Sequence, residues 1–204
     1  MHRDKIASLV RKLLVEIGED PDREGLRETP QRVAELFSEI FGGYRTDSEL
    51  TVNFAEKGNL VALRSIEFYS VCEHHLLPFF GKAHIVYQPD GKVFGASKIV
   101  RLTEKYTRRL QIQERTTTQI AEELMEHGAR GVYAMLEADH LCMKMRGVKN
   151  DGVYLVTSAE RGTSESPGLR NEALELTNRR GIQTRLKNPA AGLDLGAKRR
   201  RQEL

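Results

Sequence analysis

The sequence predicts an α+β fold, with a mostly antiparallel sheet backed by helices and preceded by an N-terminal helical pair. Three observations carry that prediction. The N-terminal segment holds two amphipathic helical patterns, later segments switch to the two-residue period of strands, and two more helical patterns lie between those strands. A hydrophobic content of 39% beside 30% charged residues describes a globular chain able to bury a core.

Taken in order, Ile6, Leu9, Val10, Leu13, Leu14 and Ile17 recur at helical spacing and predict a first helix ended by Gly18. Gly18-Glu19-Asp20-Pro21-Asp22 reads as a loop. Thr29-Pro30 reads as the cap and first position of a second helix. Its buried stripe is Val33, Leu36, Phe37, Ile40 and Phe41, and Gly42-Gly43 stops it. Alternation from Ser65 to Val71 predicts a strand, and the β-branched and aromatic content of Lys82 to Gln88 another. Pro89-Asp90-Gly91-Lys92 is a turn ahead of Val93-Phe94. Ser97 is placed to cap a helix carrying Ile99, Val100, Leu102 and Tyr106, and a longer helix runs from about Glu114 to His127, stopped by Gly128. Strands are expected near Val132–Glu137, Leu141–Val148 and Val153–Ser158. The resulting organisation is a helical region over 1–60, a sheet-bearing domain over 61–176 and a basic flexible tail over 177–204.

Charge is unevenly placed. From Asn178 to Leu204, eight Lys/Arg face Asp194 and Glu203, a balance of +6 that leaves −3 for the rest of a chain whose total is +3. The body is therefore mildly acidic, which gives no support to nucleic-acid binding. No apolar run approaches the roughly 20 residues a bilayer span needs. The start, Met1-His2-Arg3-Asp4-Lys5, lacks the pattern of a signal peptide. Two cysteines without export signals point to a reducing cytoplasm and thiols free for metal.

Both cysteines sit among histidines. Cys72 opens Cys72-Glu73-His74-His75, and Cys142 follows His140 in His140-Leu141-Cys142-Met143. A thiolate and an imidazole three positions apart can hold one ion from a single short segment, and a distant second thiolate can close the site. Such a set suits zinc, and three protein ligands leave a coordination position for water, as in catalytic sites. Spacing alone leaves open the alternative that both cysteines are small buried hydrophobes.

Five stretches together resemble the GTP cyclohydrolase I family: Gly18-Glu-Asp-Pro-Asp-Arg-Glu-Gly-Leu26, Glu28-Thr-Pro-Gln-Arg-Val-Ala34, Phe68-Tyr-Ser-Val-Cys-Glu-His-His-Leu-Leu-Pro-Phe-Phe-Gly-Lys-Ala83, Arg109-Leu-Gln-Ile-Gln-Glu-Arg115 and His140-Leu-Cys-Met-Lys-Met-Arg-Gly-Val148. The likeness runs to about Leu176. It implies the tunnelling fold, in which the sheets of neighbouring subunits join into a barrel ring and two pentameric rings stack into a decamer, with active sites at subunit interfaces. It also implies the hydrolytic opening of the guanine imidazole ring of GTP. The products are 7,8-dihydroneopterin triphosphate and formate, the first step towards tetrahydrofolate and other pterins.

By position in those motifs, the resemblance makes Cys72, His75 and Cys142 zinc ligands and gives His74 and His140 proton transfer. Gln113, beside Glu114 and near the metal-bound centre, is counted with the two histidines as catalytic. Glu114 would accept from the ring NH and amine of guanine. Ser97, Lys98 and Arg101, at a helix start, would bind triphosphate, with Arg146 and, from a neighbouring subunit, Arg32. Two departures stand out. Glu35 occupies a place where the family often has a basic residue, and Glu160 one where an apolar residue is common. A zinc-stapled, non-catalytic scaffold is the rival reading, and it would require a fourth protein ligand or the loss of a histidine.

Overall fold

The computed structural model describes residues 1–45, 50, 52–55 and 59–178. The expected basic tail lies outside them, apart from Thr177 and Asn178.

The chain opens with helices α1 (Arg3–Glu16) and α2 (Thr29–Ile40), packed on each other. Gly18 leaves α1 with φ +88, a conformation open to glycine at no steric cost. The stripes differ from expectation. Of the predicted α1 face only Leu14 is buried, while Leu9, Leu13 and Ile17 are exposed. In α2 the buried line is Pro30, Ala34 and Ser38, and Leu36 is exposed. The contact between the two helices uses small residues, which let the backbones approach closely. Thr29 is the first helical residue rather than the cap, which is Glu28.

Among the described residues seven strands follow: β1 (Val52–Ala55), β2 (Val61–Cys72), β3 (Pro78–Pro89), β4 (Lys92–Phe94), β5 (Leu110–Gln111), β6 (Ala129–His140) and β7 (Leu155–Gly162). The main sheet has the order β5-β2-β3-β6-β7, antiparallel throughout except for the short parallel pairing of β5 with β2. The fold class is thus the α+β arrangement the sequence predicts. β4 pairs with β1, a strand the helical reading of the N-terminal region missed. Helices α3 (Ala96–Thr107) and α4 (Gln113–Glu126) lie on one face of the sheet. There Phe68, Phe79, Ile85, Tyr87, Ile99, Leu102, Ile120, Leu124 and Leu136 form the core. α3 is capped by Gly95, so Ser97 lies inside its first turn.

The largest departure is at Leu141–Val148, expected as a strand. It begins instead with the one-turn helix α5 (Leu141–Lys144). A last helix, α6 (Pro167–Asn178), places Ala173 on the opposite face of the sheet against Val86 and Tyr133. The signal for it was Pro167 at the first helical position. Glu160, unusual at its place, pairs with Arg170 of α6 at 3.0 Å.

Candidate active site

Strand ends converge at one end of the sheet. β2 finishes at Cys72, β6 finishes at His140, and Phe79 near the start of β3 is in register with His140. After Cys72 the chain turns sharply. The Leu76 N–H donates to Cys72 O at 2.9 Å and the Cys72 N–H to Leu77 O at 2.9 Å, with Leu76 in the left-handed region at φ 54. That turn returns His75 towards Cys72, leaving 4.0 Å between Sγ and Nδ1. After His140, α5 doubles the chain back and delivers Cys142.

The ligand atoms of Cys72, His75 and Cys142 all lie within 4.8 Å of one another. Tetrahedral coordination at ordinary Zn–S and Zn–N lengths separates ligand atoms by roughly 3.6–3.8 Å, so small side-chain adjustments would suffice. Among the described residues no fourth His, Cys, Asp or Glu joins the group. His74 Nδ1 lies 3.8 Å from Cys72 Sγ yet is not part of it. Cys72 is buried, Cys142 half-buried and His75 exposed, so the cluster opens to solvent on one side. Burial, and then the neighbouring Cys72, push the Cys142 thiol above its ordinary pKa. Two sulfurs this close resist joint ionisation, and a bound cation would reverse that preference. The donor set therefore fits a metal ion.

Beside the cluster, His140 is held from two sides. Its ring stacks on Phe79 at 4.4 Å and 7° between planes, and its Nε2 meets Gln113 Oε1 at 2.9 Å. Gln113, the first residue of α4, has no exposed surface. Its amide nitrogen donates to Leu136 O at 2.9 Å and Leu155 O at 3.0 Å. Carbonyls only accept, so Oε1 must be the atom facing His140 and Nε2 must carry the proton. Neutral His140 is left with Nδ1 as its free lone pair. Burial holds its pKa below the ordinary histidine value, opposed by the carboxylates of Glu114 and Asp139. Sequence reading found Gln113 but not this clamp, nor Thr157, whose hydroxyl lies 3.2 Å from the same amide.

Glu114 is exposed in the first turn of α4, where the helix dipole favours an anion. Arg146 is exposed just past α5 and lies close enough to Cys142 to lower that thiol's pKa. The remaining cations are elsewhere. Ser97, Lys98 and Arg101 occupy the start of α3, while its far end leads through β5 to Cys72. Along α3 the rise to Thr107 is about 15 Å from Ser97 and about 9 Å from Arg101. Arg32 lies on α2 in an ion pair with Glu28, and Glu35 accepts from Gln31 at 3.3 Å. One chain thus brings together Cys72, His75, Cys142, His74, His140, Gln113 and Glu114, while Ser97, Lys98 and Arg101 stand in the first half of α3 and Arg32 on α2.

A sequence model of the GTP cyclohydrolase I family matches residues 6–178. The chain belongs to the GTP cyclohydrolase I family. It is 57% identical over 162 residues to GTP cyclohydrolase 1 of Hyperthermus butylicus, covering 79% of this chain and 83% of that one. To GTP cyclohydrolase 1 of Streptomyces avermitilis it is 51% identical over 173 residues, 82% and 86% of the two chains. Among solved structures, the apo archaeosine synthase QueF-Like superposes on 52% of this chain and 97% of that one, with a TM-score of 0.43 and 19% identity. No helix among the described residues is long and apolar enough to cross a membrane.

Proposed function

We propose that this chain is a GTP cyclohydrolase I that opens the guanine imidazole ring of GTP with water and releases formate and 7,8-dihydroneopterin triphosphate. The observation that supports it most is the three-ligand cluster with an open side, next to a histidine of fixed tautomer and an exposed carboxylate. Zinc held by Cys72, His75 and Cys142 would polarise water so that it ionises near neutral pH. His140 exchanges a proton through Nδ1, because Gln113 keeps Nε2 protonated. Gln113 itself is a positioning residue, since its buried amide touches His140 and not substrate. His74, exposed beside Cys72, is the second proton carrier. Glu114 accepts from the guanine NH and amine, and Arg146 meets the phosphates nearest the metal. Both thiols are free, the state a reducing cytoplasm maintains.

Lys98 and Arg101 serve the triphosphate of a neighbouring chain. The family resemblance places active sites at subunit interfaces, so a complete site here would draw its cations from a second chain. The sheet offers the means. β2 carries only the two-residue β5 on its outer side, and β7 is the opposite edge. The four long strands alternate in direction, so β7 of one copy can add antiparallel to β2 of the next. Tyr69, Tyr154 and Val156, exposed on or beside those edges, would be covered. Repeating that heterologous contact closes a ring, consistent with the family's stacked pentamers.

The direct test is formate release from GTP, followed after oxidation by pterin fluorescence. Cys142→Ser and His140→Ala should abolish turnover; unchanged turnover in both would defeat the proposal. The shared site has its own test. Inactive His140→Ala chains co-assembled with inactive Lys98→Ala/Arg101→Ala chains should recover about a quarter of wild-type activity, since random neighbours complete one interface in four. No recovery from verified mixed rings would place the whole site in one chain.

A further inference from the structure

The ion pair between Glu73 and Arg115 points to a positioning device for the metal loop, which rests on the reading of Cys72, His75 and Cys142 as ligands. Cys72 is fixed by its place at the end of β2, whereas His75 hangs from an exposed turn. Glu73, the residue between the strand end and the two histidines, is gripped twice by the segment leading into α4. Its N–H donates to Gln111 O at 3.1 Å. Its carboxylate receives both arms of the Arg115 guanidinium, Nη1 to Oε2 at 2.6 Å and Nη2 to Oε1 at 3.1 Å. No other ion pair among the described residues reaches residues 73–76.

Two neighbours of Arg115 give the contact its meaning. Gln113 clamps His140, and Glu114 is the exposed carboxylate of the site. The fork therefore ties the turn that presents His75 to the helical turn that presents His140 and Glu114. Arg115 is 44% exposed and Glu73 31%, and a pair this open contributes little to folding stability. What it does supply is direction, because two parallel hydrogen bonds to a planar fork fix an orientation that a single charge contact leaves loose. We propose that Glu73 and Arg115 act as one strut that aims His75 at the two sulfurs, and that metal affinity depends on it.

The test uses the full chain, stripped of metal and titrated with zinc against a chromophoric chelator. Glu73→Gln and Arg115→Gln should each weaken zinc binding by about tenfold, the lower range for supports of metal ligands. The double variant should lose no more than either single one, because one strut is broken only once. Metal-free unfolding midpoints should stay at the wild-type value. Arg115→Lys, which keeps the charge and loses the fork, should bind zinc as weakly as Arg115→Gln and serves if that variant folds poorly. Wild-type zinc affinity in the single variants would overturn the strut, as would losses that multiply in the double variant. Cys142→Ser separates the two readings. If it loses zinc while the strut variants do not, only the strut fails; if it binds zinc like the wild type, the metal reading fails and the strut with it.

Discussion

Removing the Gln113 side chain should cost this protein more stability than any exposed charge, and the contacts set the scale. Gln113→Ala takes one donor from each of Leu136 O and Leu155 O, leaves the Thr157 hydroxyl without the amide, and deprives His140 of its acceptor. A hydrogen bond contributes about 1 kcal/mol net, and a buried group left unpaired costs about 1–3 kcal/mol. Water entering the vacated space would recover part of this, so a loss of about 3 kcal/mol is the reasonable centre. For a domain of this size 1 kcal/mol moves the midpoint by about 2–4 °C, giving roughly 6–12 °C. Gln113→Glu sharpens the test. Neutral, the carboxyl can donate one hydrogen bond and still accept from His140; ionised, it faces carbonyl oxygens with a buried charge. Its folded pKa is therefore raised, so its stability is full below about 4.3 and declines as pH rises towards the folded value. Thermal unfolding of metal-free protein at pH 5 and pH 8, at one protein concentration, reads both effects against the wild type. A Gln113→Ala midpoint within a degree or two of wild type would refute the clamp, and so would a Gln113→Glu deficit identical at the two pH values.

Two further outcomes follow from groups outside the site. Glu123, almost wholly buried, receives both hydrogen bonds of Lys105 and that of the Tyr106 hydroxyl, joining α4 to α3. Lys105→Met strands that carboxylate and should cost about 3 kcal/mol; urea midpoints measure it, and a loss under 1 kcal/mol would show that the pair is not needed. His84 is buried, with Glu137 at 3.5 Å and Arg64 and Lys82 as the cations facing it, and burial, the largest influence, lowers its pKa. The unfolded chain then binds the proton more readily, so stability is complete above about pH 6.5 and falls below it. His84→Leu should lose less stability than wild type between pH 7.5 and 5.5, with a residual slope from His140, which shares the direction; a slope equal to wild type contradicts it.

How much of this was legible depended on whether a signal was local. β2 was foreshadowed by alternation and β3 by its β-branched and aromatic content, because Ser65–Val71 buries mainly one face whereas the middle of β3 is buried on both, by the core helices and by α6. Leu141–Val148 misled for the same reason, since Cys142, Met143, Met145 and Val148 resemble a strand's apolar content. β6 ends at His140, stacked on Phe79, and the chain must then double back to bring Cys142 to Cys72. No propensity scale contains that demand. The α1 stripe failed differently. Its period was right, but the partner surface on α2 is a narrow line of Pro30, Ala34 and Ser38, so Leu9 and Leu13 remain outside in a single chain.

The site divides along the same line. That Cys72 and His75 could face one ion was suggested by residue type and spacing, because a thiol and an imidazole on one turn are a local fact; the choice of Cys142 as their partner came with the family resemblance, and the fold brings the three together. The Gln113 clamp was not suggested in either way. In the sequence it is a polar residue at a helix start, and its meaning comes from two carbonyls contributed by β6 and β7, 23 and 42 residues further on. The cations of α3 required still more. Lys98 and Arg101 look like a phosphate grip in the sequence, and they stand in the first half of α3, whose other end leads through β5 to Cys72. If a neighbouring chain supplies the triphosphate contacts, as proposed above, Lys98 and Arg101 acquire their meaning only in the assembly. The open edges of β2 and β7 are where that chain would attach.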